Sequence, residues 1–446
     1  MTDKTENNVL RVLLENRGIK KNDSIKRYEK LGLSFNPFPR SGISDLNSSP
    51  YLIGKLEPID EEVKKGIEEF ILDSLSLQNE VSNDKYISAV IRGNYGYGKT
   101  QTLLYAKYVL ELFNQNKDLN KRPYVVYIDN PGAKLTELIG AIISQVGEEN
   151  FKRYLWNIAF EKIATNKDFK DEILKFRPIG LSLFDDETDP FDPVNLVSYK
   201  SFLDAWYSKI LNAYPKKKKE FQDKLKGFII SIFISHFENT TIAMYFYDLL
   251  TENIGINKTW EALTTGSVKE LDKKEVYIIR AIVKLIESQG YTDFYILVDE
   301  FENVTAGRLS PIEIDRYVTN LRALIDKERN WCSLFAMTPP ALQRLKSVSP
   351  PLAERISSRI IDLKSLNDDR AKTILINYLN LAREESQALF PFDETAITAL
   401  RIKSHGILRV FLKSCFSFVQ RAIEELQENQ TINEQFVNKH FQIEEE

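Results

Sequence analysis

Residues 86–100 read YISAVIRGNYGYGKT, and the character of the chain changes inside this stretch. Residues 86–91 are a short apolar, β-branched run, the mark of a buried strand. The run feeds directly into Gly93-Asn94-Tyr95-Gly96-Tyr97-Gly98-Lys99-Thr100, which fits G-x-x-x-x-G-K-[ST] at every fixed position. Residues 100–114 then read as a helix. The chemistry needs this spacing. Glycines let successive backbone N–H groups turn inward around phosphate oxygens, and a helix starting near Gly98 adds the positive end of its dipole. Lys99 is the point charge for the β and γ phosphates, and the Thr100 hydroxyl is a ligand for Mg²⁺. Tyr95 and Tyr97 are bulky for such a loop. They read as pointing outward or packing on neighbouring helices, with stacking on a nucleotide base as the alternative.

On the N-terminal side, residues 59–76 place apolar side chains at 63, 67, 70, 71 and 75, which is helical spacing. On the other side, a second strand is expected at 123–129 and a helix at 135–146. Strand, helix, strand, helix predicts a parallel α/β sheet. Residues 151–270 break that rhythm and read as a helical insertion rich in aromatics. It carries an acidic loop at 184–193 and a basic run at Lys216–Lys219, read as a solvated helix face or, alternatively, a phosphate contact. The α/β pattern resumes with a helix at 274–289, a strand at 294–298, a helix at 314–325, a strand at 333–337 and a short apolar run at 360–363. Three helices follow, at 368–382, 393–403 and 407–426. The expected organisation is an N-terminal arm (1–45), an ATPase core in two parts (46–150 and 271–365) around the insertion (151–270), and a helical lid (366–446). The arm contains LGLSFNPFPRSG, read as an extended segment docking aromatic groups on a neighbour, or as a linker.

Four further positions carry candidate chemistry. The strand at 294–298 ends in Asp299-Glu300. A buried parallel strand ending in a carboxylate aims Asp299 at the Mg²⁺ shell and leaves Glu300 to polarise an attacking water. Thr338 ends the next strand and is placed between the γ-phosphate and Glu300. Arg355 and Arg359 are four apart and would share a face if 352–363 is helical. An arginine there would stabilise transition-state charge on a neighbouring subunit, with surface salt bridging as the alternative. In His405-Gly406-Ile407-Leu408-Arg409, Gly406 ends one helix and Arg409 lies in the first turn of the next, within reach of a nucleotide. No N-K-x-D tetrad is present, which argues against guanine specificity, and no LSGGQ-like segment is present. Three scattered histidines and two cysteines offer no zinc constellation.

The composition is that of an ordinary globular protein: 446 residues, 43% hydrophobic and 28% charged, with 18 glycines and 16 prolines. A net charge of −4 gives no bulk pull toward nucleic acid or anionic lipid, so any DNA contact must be a local patch. The longest largely apolar run, 227–234, is far short of the ~20 residues a membrane-spanning helix needs. Two cysteines exclude a disulfide framework and favour a reducing compartment. The first residues do not read as a signal peptide, so a cytoplasmic location is expected.

The order of phosphate loop, four apolar residues then Asp-Glu, Thr338 at the next strand end, paired arginines and G-x-x-R resembles the AAA+ ATPases. Among these it is most similar to the branch of the origin-recognition initiators and the ExeA/TniB-type ATPases. IRGNYGYGKT (91–100) and ESQGYTDFYILVDEFENV (287–304) resemble the P-loop ATPases of BREX phage-defence systems, and LGLSFNPFP (31–39) resembles the start of ExeA-type chains. The resemblance implies an α/β P-loop NTPase of AAA+ type, a parallel sheet flanked by helices with a helical lid, using ATP and Mg²⁺. It further implies an ATP-hydrolysing switch or motor on DNA or a DNA-bound complex, in a defence setting, with DNA or DNA-processing proteins as partners. A homo-oligomer follows if Arg355 or Arg359 acts in trans. Two alternatives remain: a low-turnover regulatory scaffold with the insertion as its partner-binding module, and an ExeA-like ATPase of an envelope machine. Origin-recognition proteins carry a winged helix after the lid. Here about 20 residues follow the last expected lid helix and end in IEEE, which argues against one.

Overall fold

The computed structural model describes residues 27–41, 60–76, 86–115, 121–176, 191, 198–206, 215–265, 274–305, 309–383, 389–427 and 429–441. Apart from Phe191, the acidic loop expected at 184–193 lies outside the described residues, as do the first 26 residues.

Five parallel strands form one sheet: β1 (Ser88–Arg92), β2 (Pro123–Ile128), β3 (Asp293–Val298), β4 (Cys332–Met337) and β5 (Arg359–Asp362). Their spatial order is β2-β3-β4-β1-β5. The central strands are near-continuous apolar runs because both faces are covered, as parallel sheets require. Side chains alternate between two cores. Ala89, Ile91, Tyr295, Leu297, Leu334 and Ala336 join helices Glu61–Ser76 and Lys99–Gln115 on one face. Val90, Phe294, Ile296, Val298, Phe335 and Met337 join the larger core on the other. The edge strand β5 buries little beyond Ile361.

The connections fix where a ligand fits. From β1 the chain leaves through Lys99–Gln115 on one face toward β2. From β4 it leaves through Pro339–Val348 and Pro350–Ile356 on the opposite face toward β5. Since β1 and β4 are neighbours, their loops part at the carboxyl edge of the sheet. That is a topological switch point, the crevice where open α/β sheets bind ligands.

The helices of the insertion have no core of their own among the described residues. Trp156, Phe202, Trp206, Phe221 and Phe233 belong to the same cluster as Val90 and Val298 of the sheet. Residues 366–437 do form a separate cluster, and it takes in the arm. Leu31, Leu33 and Phe38 are buried there, with Phe38 stacked on Tyr378 at 5.6 Å between ring centroids. Asn36 Nδ2 donates to the Phe416 carbonyl at 3.0 Å. The neighbour that receives the arm's aromatic group is therefore the helical domain of the same chain. Three of its helices start on side-chain caps: Asn367, Asp393 and Asn433 each accept a backbone N–H three residues on. The helix Glu434–His440 was not expected from the sequence.

One expectation is corrected. Arg355 and Arg359 do not share a helix face. The helix Pro350–Ile356 stops at Ser357, and Arg359 opens β5. The physical reason is the β-branched pair Ile360–Ile361, which extends the sheet beside β1, together with a hydrogen bond from the Ser358 hydroxyl to the Ser88 carbonyl that draws the chain into register.

Candidate nucleotide-binding site

Three strand ends meet at the switch point. After β1, Gly93 N donates to the Met337 carbonyl at 3.2 Å, tying the loop to the end of β4. Tyr97 N donates to the Asn94 carbonyl at 3.2 Å, and Thr102 N to the Gly98 carbonyl at 2.9 Å as the helix Lys99–Gln115 begins. Gly96 and Gly98 sit at φ +76° and +95°, in the left-handed region. A Cβ on Gly96 would come 2.7 Å from Ile407 Cγ2. The loop is thus pressed against the turn at Ile407, and Arg409 N donates to the Gly96 carbonyl at 3.0 Å. Arg409 is brought to the loop by its backbone, and its side chain is exposed.

Opposite the loop, β3 delivers Asp299, which is 4% exposed. Its Oδ2 accepts from Thr100 Oγ1 at 2.6 Å and from the Tyr127 hydroxyl at 3.1 Å, and its Oδ1 accepts from Glu300 N at 2.9 Å. Burial, reinforced by the Asp299 charge, pushes the Tyr127 phenol well above its ordinary pKa, so it remains a donor. Glu300 has φ +49° and is exposed, with Asn303 Nδ2 donating to its Oε2 at 3.0 Å. Phe301 N donates to the Ala336 carbonyl at 3.1 Å, so the acidic turn is held against β4. Thr338 is buried at the end of β4, and its side chain caps no helix.

Lys99 is 7% exposed. Its Nζ donates to the Gly93 carbonyl at 3.2 Å, lies 3.4 Å from Glu302 Oε1 and sits 5.0 Å from the centre of the Tyr95 ring. Tyr95 itself is 68% exposed. Burial raises the Glu302 pKa, and the charge of Lys99 opposes that rise.

The remaining arginines stand apart. Arg359 pairs with Ala89 at the start of β1, at the opposite edge of the sheet from the loop, and binds Glu69 at 2.9 Å and Asp73 at 2.6 Å. Arg355 is paired with Asp326 and donates to the Pro351 carbonyl at 3.0 Å. Neither is brought together with the loop of its own chain.

Tyr127, Glu302 and Asn303 had not been singled out in the sequence. Tyr127 lies inside an apolar strand and carried no signal. Glu302 stands one helical turn after Asp299, and that carboxylate spacing in DEFE was the available sign.

The donor set suits a hard cation. Thr100 and Asp299 supply adjacent oxygens, and Mg²⁺ takes only one or two protein ligands alongside water and phosphate. No cluster of three or more His, Cys, Asp or Glu among the described residues is arranged to hold a metal by protein groups alone. Cys332 and Cys415 are buried in separate cores, so they do not pair with each other.

No family model matches the chain, and no curated protein matches it. Among solved structures it is similar to the ORC2 protein of Aeropyrum pernix, in ADPNP–ADP complexes, at 13% identity and a TM-score of 0.43, over 89% of this chain and 69% of that one. The architecture of this chain is that of an α/β protein whose strand, glycine loop and helix fit a P-loop NTPase. No helix among the described residues is long and apolar enough to cross a membrane.

Proposed function

We propose that this chain is a Mg²⁺-dependent ATPase of AAA+ type. The observation that supports it best is the convergence of the Gly93–Thr100 loop with Asp299 through the 2.6 Å contact to Thr100. In this reading the loop N–H groups and Lys99 bind the triphosphate. Thr100 and Asp299 would hold Mg²⁺, which would supply neutralisation of phosphate charge. Glu300 polarises the attacking water, and the exposed position of its carboxylate suits that role. Thr338 takes a place between Glu300 and the γ-phosphate, at the end of the strand to which both the loop and the acidic turn are bonded. Arg409 and the lid report the state of the loop. Arg355 and Arg359, remote from their own loop, serve a phosphate only if a second copy presents one.

The resemblance noted in the sequence extends this reading to a switch or motor on DNA or a DNA-bound complex. Phosphate release measured with and without double-stranded DNA tests both levels. Mg²⁺-dependent turnover abolished by Lys99→Ala supports the ATPase, and stimulation by DNA supports the wider role. No turnover and no nucleotide uptake by the unmodified protein overturns it.

A further inference from the structure

The loop lysine is not free to meet a phosphate without a contest. An ammonium has three N–H donors. Here one goes to the Gly93 carbonyl at 3.2 Å, and Glu302 Oε1 stands 3.4 Å away. The Tyr95 ring covers Nζ from a further side at 5.0 Å. Glu302 is 2% exposed, and its second oxygen, Oε2, is buried without a hydrogen-bond partner. A buried carboxylate with one bare oxygen is costly to keep charged unless a cation is close, and Lys99 is the cation beside it. Three carboxylates, Asp299, Glu300 and Glu302, stand within four consecutive positions, and Glu302 is the one beside Lys99. Two of them are accounted for, since Asp299 takes the Thr100 hydroxyl and Glu300 is exposed to water. Glu302 is left over.

We infer that Glu302 is an affinity-setting residue: a buried counter-charge that competes with nucleotide phosphates for Lys99 and keeps nucleotide binding weak enough to be reversible. The inference rests on the proposed triphosphate site. Its physical content is simple. A phosphate oxygen that recruits Lys99 must weaken the Lys99–Glu302 pair, and the Glu302 charge repels the incoming polyanion at short range with little screening. Removing that charge while keeping the side-chain shape removes both penalties. The effect falls on ATP and ADP alike, because Lys99 reaches the β as well as the γ phosphate. It falls on binding rather than on the chemical step.

The test is calorimetric titration of the full chain with Mg·ATP and Mg·ADP, for the unmodified protein, Glu302→Gln, Glu302→Asp and Lys99→Ala, with a melting curve for each. Glu302→Gln is expected to bind both nucleotides about tenfold more tightly, with kcat not raised. Glu302→Asp keeps the charge and is expected to stay within about twofold of the unmodified protein. A residue that merely fills space would instead give weaker binding in both variants. Glu302→Met, charge-free and similar in length, is the second variant should the glutamine fail to fold, and it must show the same tightening. If the unmodified protein binds Mg·ATP and Lys99→Ala does not, while a folded charge-free variant binds no tighter, this inference is wrong and the site stands. If the unmodified protein takes up no nucleotide, the site itself is wrong.

Discussion

Thr100 and Asp299 are separated by 199 positions, and the threonine hydroxyl donates to the aspartate at 2.6 Å. The sheet makes this contact. β1 and β3 run parallel with β4 between them, so the residue after β3 and the helix after β1 both emerge at the carboxyl edge. Tyr127, near the end of β2, adds a second donor to the same carboxylate oxygen at 3.1 Å.

Glu300→Gln keeps the size and polarity of the side chain but removes its basicity. Turnover is expected to fall by about 10²–10⁴-fold, while Mg·ATP binding stays within a few-fold of the unmodified protein. Single-turnover phosphate release beside a binding titration checks this. Unchanged turnover removes Glu300 from the chemistry.

Tyr127→Phe deletes one donor to Asp299 and leaves the ring in place. The loss of a buried hydrogen bond to a charged group is expected to cost about 1.5–3 kcal/mol. Part of this should appear as a raised Mg²⁺ requirement for turnover. A magnesium titration of the rate at fixed ATP reads it, and an unchanged curve would show that Asp299 is oriented without Tyr127.

Gly96→Ala meets two obstacles, a φ of +76° and the Ile407 methyl 2.7 Å from the new Cβ. Nucleotide affinity and thermal stability should both drop. Adding Ile407→Ala relieves the collision but leaves the backbone penalty of about 1–2 kcal/mol, so the pair should recover part of the loss. Equal melting points for the single and double variants would mean that Ile407 and the loop are not packed as described.

Phe38→Ala empties a site between Tyr378 and Phe392 in the helical domain. A loss of about 3–5 kcal/mol is expected for a phenylalanine of this burial. Chemical unfolding measures it, and a shift below about 1 kcal/mol would show that the arm does not contribute to that core.

Much of this arrangement was legible because local physics wrote it. The runs YISAVI, PYVVYID and FYILV supply side chains to the cores on both faces of the sheet, so their β-branched and aromatic residues announced strands. The helix at 61–76 showed itself through Val63, Ile67, Phe70, Ile71 and Leu75, all buried. The glycine loop and the Asp-Glu pair were legible because their spacing is chemical. The order of strands was not, since pairing of parallel strands is decided by long-range packing. Nor was the fate of Arg359: four-residue spacing from Arg355 suggested a helix, but the two isoleucines that follow fit the sheet better. The loop's bond to Arg409 could not be foreseen either, because a backbone N–H leaves no trace in residue identity. Glu302 was readable in principle from its spacing to Asp299, but its burial beside Lys99 depends on the fold.

If loop and acidic turn form a single magnesium-nucleotide site, calorimetric titration with ATP in the presence and absence of Mg²⁺ will show it. The unmodified protein should bind ATP more tightly with Mg²⁺. Asp299→Asn should lose that dependence, and Lys99→Ala should lose binding by about 100-fold or more, the scale of a charge-assisted phosphate contact in a buried site. An unmodified protein that takes up no nucleotide, or a Lys99→Ala variant that binds as well, would contradict it.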